Sequence, residues 1–458
     1  MTRPPMPAHR SDRVSLLKHL AMFRTDILAT QPARLYRAKM AEVKLPFLHS
    51  VMVNTPDLVR LVLQDRPKDF PKSDRVREGL RLLLGNSVFV TNGPTWERQR
   101  RMIDPAFEGG RLRDTFPAMW DAAEATAARM QAGQVEIEAA MSHAAADVIF
   151  RTLFSVPIED ETAAQVYHTF RAHQRTAPIL NPAALVRFPR WMPRIFSRET
   201  RATAARIRAL ITQMTEARMA AIKAGSAPDD LATKIMTTRD PVTGDMFDTE
   251  EMVDQVAIFF LAGHETSASA LAWTLYLIAT HPDWQVLLAT EAAALRPYLE
   301  SGAVPEFGFL KRFPLIRDTF REALRLYPPV PMLVRETAQR EVFRKRKLGV
   351  GTQVIVSPWH MGRHEAIWPD PHAFRPERWQ EPATREHARD GYLPFSAGPR
   401  VCTGAGFAMA EAVLILARLL HDWELSAIPG KVPVPIAHMT VRARDGIWLE
   451  LCPRAAKP

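Results

Sequence analysis

The chain has 458 residues, 47% hydrophobic and 24% charged, with a net charge of +10 and only two cysteines, Cys402 and Cys452. That is enough chain to bury a large core, and two cysteines exclude a disulfide scaffold and suit a reducing cytoplasm. The basic residues are scattered among acidic ones, with no basic block carrying aromatics, so the charge favours an acidic partner over nucleic acid.

The N-terminus is polar, basic and rich in proline. No run approaches the roughly 20 apolar residues a membrane span needs. No short apolar core with a cleavage site follows the first basic residues. A soluble protein without a transmembrane anchor is expected. Residues 1–45 read as an approach segment and 46–458 as one catalytic domain, since no linker divides the rest. Pro46 to Asp65 reads as strand, turn and short helix, and long helical stretches dominate from about 94 to 330. Residues 349–361 carry β-branched alternation after glycines, which predicts a strand. Residues 439–451 predict a further hairpin. The expected class is mainly α with small β-sheets.

The most informative predicted helix runs from about Thr249 to Thr280. Asp248 and Glu251 have capping-box spacing, and His281-Pro282 ends the helix. Its apolar length places it through the centre of the protein. Yet its middle reads Gly263-His264-Glu265-Thr266. A glycine there costs about 1 kcal/mol against alanine, and buried polar groups cost more unless paired. Local rules broken together in one place point to function.

Two familiar motifs fail. A zinc-protease helix needs a second histidine where this chain has Ala268. The glycines at 404 and 406 are followed by Met409 in the third slot, with no strand leading in, so they form no dinucleotide fingerprint. Other pieces are weak alone: Trp96 and Arg100 one helical turn apart, and Glu322 and Arg325 at a salt-bridge spacing. Taken in order they gain weight. Trp96/Arg100, Ala262-Gly-His-Glu-Thr266, Glu322-x-x-Arg325, Phe374-Arg-Pro-Glu-Arg378 and Phe395-x-x-Gly398-x-Arg400-x-Cys402-x-Gly404 follow one another. In this the sequence resembles the cytochrome P450 family of haem-thiolate monooxygenases, of soluble bacterial type, from about Pro46 to the C-terminus.

The resemblance implies that Cys402 binds the iron of haem b as a thiolate. It implies that Gly398 and Gly404 let the loop bend beneath the porphyrin, with Phe395 beside the sulfur. Trp96, Arg100, Arg335 and Arg400 are implied partners of the haem propionates. Glu322, Arg325 and Arg378 match the family's buried ion triad. Ala262 to Thr266 would lie over the distal haem face. There Gly263 leaves room for oxygen, Thr266 is the hydroxyl that helps deliver protons, and Glu265 is the acid that relays them. Candidate pocket residues are Val88, Phe89, Phe259, Gly263, Val330, Pro331 and Met332, with ordinary core as the competing reading of each. All are apolar, so a fatty acid, terpenoid or alkyl-aromatic substrate is expected. Residues 179–196 fall where the family has a mobile lid and could also touch a membrane.

The implied reaction uses O2 and two electrons, expected from a separate ferredoxin and its reductase, and the protein is expected to be a monomer. Arg98 and Arg101 are read as solvent-facing and available to an acidic ferredoxin, against the plainer reading of a solvated basic face. A peroxide-using or isomerising haem-thiolate enzyme, and a non-catalytic haem sensor or carrier, are the alternatives. The acid–hydroxyl pair Glu265/Thr266 argues against both. Cys452 is read as structural.

Overall fold

The computed structural model describes residues 3–11, 14–45, 48–176 and 196–454. The 179–196 stretch lies outside them apart from its last residue. The architecture is helical with four small sheets at the periphery, the expected class. One helix, Thr249–Ala279, organises it. At 31 residues it is about 46 Å long. Its start is closed reciprocally: the Glu251 N–H donates to Asp248 Oδ1 at 2.8 Å, and the Asp248 N–H to Glu251 Oε2 at 3.2 Å, as the capping box predicts. Nearly every residue from Met252 to Ala279 is buried. Four helices surround it: Ile137–Phe154 (the crossing helix), Arg198–Lys223, Pro314–Leu326 (the triad helix) and Ala405–Asp422 (the cysteine helix). One hydrophobic core spans this bundle.

Strands are numbered in chain order. The largest sheet has the order β1-β2-β7-β4, from Met40–Leu45, Leu48–Val53, Gln353–Val356 and Leu333–Glu336. The predicted strand within 349–361 is therefore present. Met40–Leu45, read from the sequence as part of the approach segment, pairs antiparallel with β2 across its whole length and belongs to this sheet. A second, smaller core lies beneath it, with Val51, Val53, Phe70, Phe343 and Val354. β5 (Glu341–Phe343) and β6 (Arg346–Leu348) form a separate two-residue-turn hairpin.

The predicted C-terminal hairpin is corrected. Its first strand, β10 (Val441–Ala443), pairs backward with β9 (Pro435–Ala437). Its second, β11 (Trp448–Pro453), joins β3 (Gly133–Glu136) and β8 (Trp423–Ala427). The turn at 444–447 instead spans two sheets: Ile447 is fully buried, and its carbonyl accepts from the Ile137 N–H at 2.7 Å. Cys452 sits exposed on β11, opposite Glu424.

Candidate active site

The cysteine loop is set by its backbone. Gly398 has φ +70°, and a Cβ there would stand 2.0 Å from the Leu63 carbonyl oxygen. Only glycine satisfies both the left-handed conformation and the close approach. The Cys402 N–H then donates to the Phe395 carbonyl at 2.9 Å, which folds the loop back over a half-buried Phe395. Gly404 plays a different part from the one expected. Its φ is −85° and a Cβ would meet no protein atom, so no tight bend requires it; it is the N-cap of the cysteine helix.

Burial pushes the Cys402 thiol up, against the Gly404 N–H and the Arg100 guanidinium, which both favour the thiolate. Yet Cys402 remains accessible to solvent. A bonded metal ion would deprotonate it outright. Ala262 is likewise accessible, and Thr266 partly so, on a helix otherwise buried along its middle. The central helix and the cysteine loop thus each keep an accessible surface.

Beside the cysteine loop lies a cluster of cations. Lys72, Arg100 and Arg400 stand over the Trp96 ring, with charge-to-centroid distances of 5.6, 5.8 and 5.3 Å. An antiparallel bridge joins Lys72 to Arg335. Arg100 is committed: its Nε donates to Asp104 Oδ1 and Oδ2 at 2.7 and 2.9 Å, and Nη1 to the Val401 carbonyl at 2.9 Å. The others have no carboxylate partner among the described residues. Lys72 Nζ donates only to the Val88 carbonyl, at 2.6 Å. Arg335 Nη1 donates to the Val334 carbonyl at 3.1 Å, and Arg400 Nη1 to that of Pro67 at 2.7 Å. The Nε atoms of Arg335 and Arg400 are buried and unbonded.

Burial, reinforced by Arg335, Arg400 and Arg100, holds Lys72 well below the usual amine range; burial and Arg400 pull Arg335 down to about 10. Four cations facing one carboxylate are costly unless a dianion joins them. The two propionates of a haem supply that charge, so these residues fit the group. Lys72 was not found from the sequence: the backbone bridge to Arg335, 263 residues away, brings it here, and nothing local signals it.

Glu265 and Thr266 are adjacent in sequence but hold different partners. Thr266 Oγ1 donates to the Ala262 carbonyl at 2.5 Å. The Glu265 carboxylate is buried and accepts from three residues: Thr440 Oγ1 at 2.5 Å, Arg442 Nη2 at 2.5 Å and Gln174 Nε2 at 3.1 Å. Arg442 is one-third exposed, so it marks the solvent side of this acid. His264 is structural. Its Nε2 bonds Ser142 Oγ at 2.7 Å, and burial brings its pKa down to about 3, so it stays neutral at physiological pH. A Cβ at Gly263 would lie 2.4 Å from Ile149 Cδ1 on the crossing helix. The glycine therefore serves close helix packing.

Among the pocket candidates, Phe89 is exposed, and Val88, Phe259, Val330 and Met332 are half-buried. Pro331 is buried, and its carbonyl accepts from Ser357 Oγ at 2.9 Å. It stands behind the surface rather than on it. The loop carrying Val88 and Phe89 is pinned to the central helix by two residues the sequence did not single out. The Asn86 N–H donates to Asp254 Oδ2 at 2.7 Å, and the Val88 N–H to Gln255 Oε1 at 2.9 Å.

Glu322, Arg325 and Arg378 come together as expected. Arg325 Nε and Nη2 donate to the two Glu322 oxygens at 2.9 and 2.8 Å, and Arg378 Nε donates to Oε1 at 3.0 Å. Trp379 Nε1 and the Arg375 N–H complete the carboxylate at 3.1 and 3.0 Å. Burial alone would raise the Glu322 carboxyl, but the two guanidinia and these bonds hold it below its usual value. The remaining guanidinium donors reach the carbonyls of Gly362, Pro371 and Ala373, and of Pro369 and Asp370. The triad therefore ties the triad helix to the 362–379 segment.

Arg98 and Arg101 are not free, contrary to the sequence reading. Arg98 Nη1 and Nη2 grip Glu251 at 2.6 and 3.3 Å, and Arg101 Nε and Nη2 grip Asp240 at 2.6 and 2.8 Å. Both charges are neutralised within the fold.

A helical body around one long helix, a cysteine loop beneath it and a cationic pocket for propionates define a haem-thiolate protein. The family profile described as Cytochrome P450 matches residues 17–449, and the chain belongs to that family. It is 33% identical to the cyclooctat-9-en-7-ol 5-monooxygenase of Streptomyces melanosporofaciens, over 91% of this chain and 89% of that one. It is 30% identical to the pentalenene oxygenase of Streptomyces avermitilis, with 87% of each covered. The crystal structure of the cytochrome P450DA heme domain superposes with a TM-score of 0.79 at 24% identity, covering 99% of this chain and 98% of that one; it shares the fold. The protein is a haem-dependent monooxygenase of hydrophobic small molecules. Among the described residues no helix is long and apolar enough to cross a membrane.

Proposed function

We propose that this monooxygenase hydroxylates a cyclic terpenoid. The observation that carries the reading is the accessibility of Ala262, and in part of Thr266, on a helix otherwise buried along its middle. The names of the Streptomyces relatives, cyclooctat-9-en-7-ol 5-monooxygenase and pentalenene oxygenase, support a cyclic terpenoid as the hydrophobic substrate. Bound through Cys402, haem would supply the oxygen-activating redox chemistry. Trp96, Lys72, Arg335 and Arg400 would hold its propionates, with Arg100 contributing Nη2. Phe395 would pack beside the bound sulfur and limit water there.

Turning C–H into C–OH with O2 releases the second oxygen atom as water and consumes two electrons and two protons. Thr266 Oγ1 holds and passes those protons at the reaction face. Glu265 takes them from water entering beside Arg442, once its carboxylate leaves the Arg442 and Thr440 donors. The electrons come from a separate ferredoxin and reductase, and the enzyme works as a cytoplasmic monomer with one catalytic domain. With Arg98 and Arg101 neutralised, docking must use other cations near the cysteine loop; Lys68, 89% exposed at its side chain and in only a long, exposed contact with Glu97 at 3.5 Å, is the first to test.

The experiment is turnover of cyclic terpene alcohols and hydrocarbons by the holoenzyme with a ferredoxin, its reductase and NADPH. A product one oxygen atom heavier is expected. Thr266→Ala should keep consuming NADPH while product falls about tenfold or more. Turnover of fatty acids but no terpenoid would overturn the substrate assignment. Equal coupling in Thr266→Ala would overturn the proton role.

A further inference from the structure

We propose that the β5–β6 hairpin is a docking surface for an anionic lipid bilayer. Its turn and second strand read Arg344-Lys-Arg-Lys347, four consecutive cations, all exposed. Arg340, just before the hairpin, is exposed too. Nearby acids neutralise only part of this charge. Glu341 is taken by Arg66, with Nη2 to Oε1 at 2.5 Å, Glu42 lies 3.6 Å from Arg346, and Asp57 is close enough to feel Arg344.

The backbone adds a second, independent observation. Arg344 and Lys345 have φ of +45° and +67°. A two-residue hairpin turn with both central residues left-handed is the place for Asn-Gly, which adopts that conformation at least cost. Here two long cationic side chains occupy it against their own preference. A sequence that retains charge at a conformational cost points to a use for the charge.

Apolar side chains flank the cations. Val342 is 64% exposed and sits directly across from Lys347 in the hairpin register; Val350, just beyond, is 59% exposed. The Glu42–Arg346 contact brings β1 alongside, with Val43 and Lys44 both exposed. Cations mixed with aliphatic groups suit a lipid interface, where the charges meet phosphates and the valines enter the acyl boundary. A specific protein partner needs about 800 Å² per side, more than a two-residue tip on three-residue strands provides. A bilayer needs no shape complement. It is also where a hydrophobic substrate concentrates.

The test uses the haem-loaded full chain and sedimentation with vesicles. Phosphatidylcholine vesicles are compared with the same vesicles containing phosphatidylglycerol. Arg344→Asn/Lys345→Gly removes two charges and installs the turn's favoured residues, so the hairpin stays folded; circular dichroism and the haem spectrum check this. Each basic residue near an anionic surface multiplies binding about fivefold. The wild type should sediment with the anionic vesicles, weakly or not at all with neutral ones, and less as salt rises. The double variant should bind about 25-fold more weakly. No binding to anionic vesicles at low salt would overturn the proposal, as would equal binding by the variant. Capture of an acidic ferredoxin that the variant loses, without vesicle binding, would reassign the surface to a protein.

Discussion

Glu411 lies fully buried on the cysteine helix with one partner. Ser267 Oγ, next to Thr266 on the central helix, donates to its Oε2 at 3.1 Å, while Oε1 is unbonded among the described residues. Burial pushes this carboxyl from the usual 4.5 up to about 8, and the Ser267 bond opposes the rise only in part. The sign of its effect on stability follows. Between about pH 4.5 and 8 the folded protein holds a proton that the unfolded chain has released. Raising pH through that window therefore favours unfolding. At about 1.4 kcal/mol per unit of pKa difference, the stability lost by pH 8 approaches roughly 5 kcal/mol.

Glu411→Gln keeps an oxygen for Ser267 and removes the titration. Urea unfolding of the holoproteins from pH 5 to 8.5 should show similar stabilities at the acid end. The variant should become more stable by several kcal/mol at the alkaline end. Every other titrating group is shared, so the difference isolates Glu411. A difference that does not change with pH would refute the reasoning and mean that Glu411 is ionised or hydrated in the fold.

Lys72→Met should have opposite effects on the two forms of the protein. The haem-free protein should gain stability as repulsion with Arg335 and Arg400 is relieved. The holoprotein should lose haem to apomyoglobin about tenfold faster or more, a charge-assisted bond being worth about 1.5–3 kcal/mol. Gly398→Ala should abolish the shifted Soret band of the reduced carbon monoxide complex, because a Cβ 2.0 Å from the Leu63 carbonyl displaces the loop that presents Cys402. Glu322→Ala should cost about 3–5 kcal/mol by stranding two buried guanidinia, read by thermal unfolding at pH 7; a loss below 1 kcal/mol would show that water replaces the carboxylate.

What the sequence revealed was local, or carried by motifs in order. The capping box at Asp248, the helix it starts, the strand within 349–361 and the Glu322 triad rest on short spacings or on residues whose roles travel together. What it concealed is set by distant chain segments. Lys72 joins the propionate cluster through a backbone bridge to Arg335. The pairing of β10 with β9 and of β11 with β3 and β8 is a choice among strands that the period-two pattern leaves open. Gly263 breaks the helical pattern visibly, but only the packed neighbour Ile149 says why. The helical wheel turns Arg98 and Arg101 away from Trp96, but their partners, Glu251 and Asp240, arrive from about 140–150 residues later. Glu411 is visible in the sequence as an acid in an apolar helix, but its burial depends on the packed neighbours.

The Arg98–Glu251 bond has a mechanical meaning. Glu251 is at once the carboxylate that closes the central helix onto Asp248 and the anion that grips the helix bearing Trp96 and Arg100. The start of the distal helix and one wall of the propionate pocket are thus clamped by a single side chain. A docking protein that drew Arg98 away with its own acid would loosen the helix end and the pocket wall together. Arg98 is thereby a strut between the central helix and the propionate pocket, and its loss would register on both.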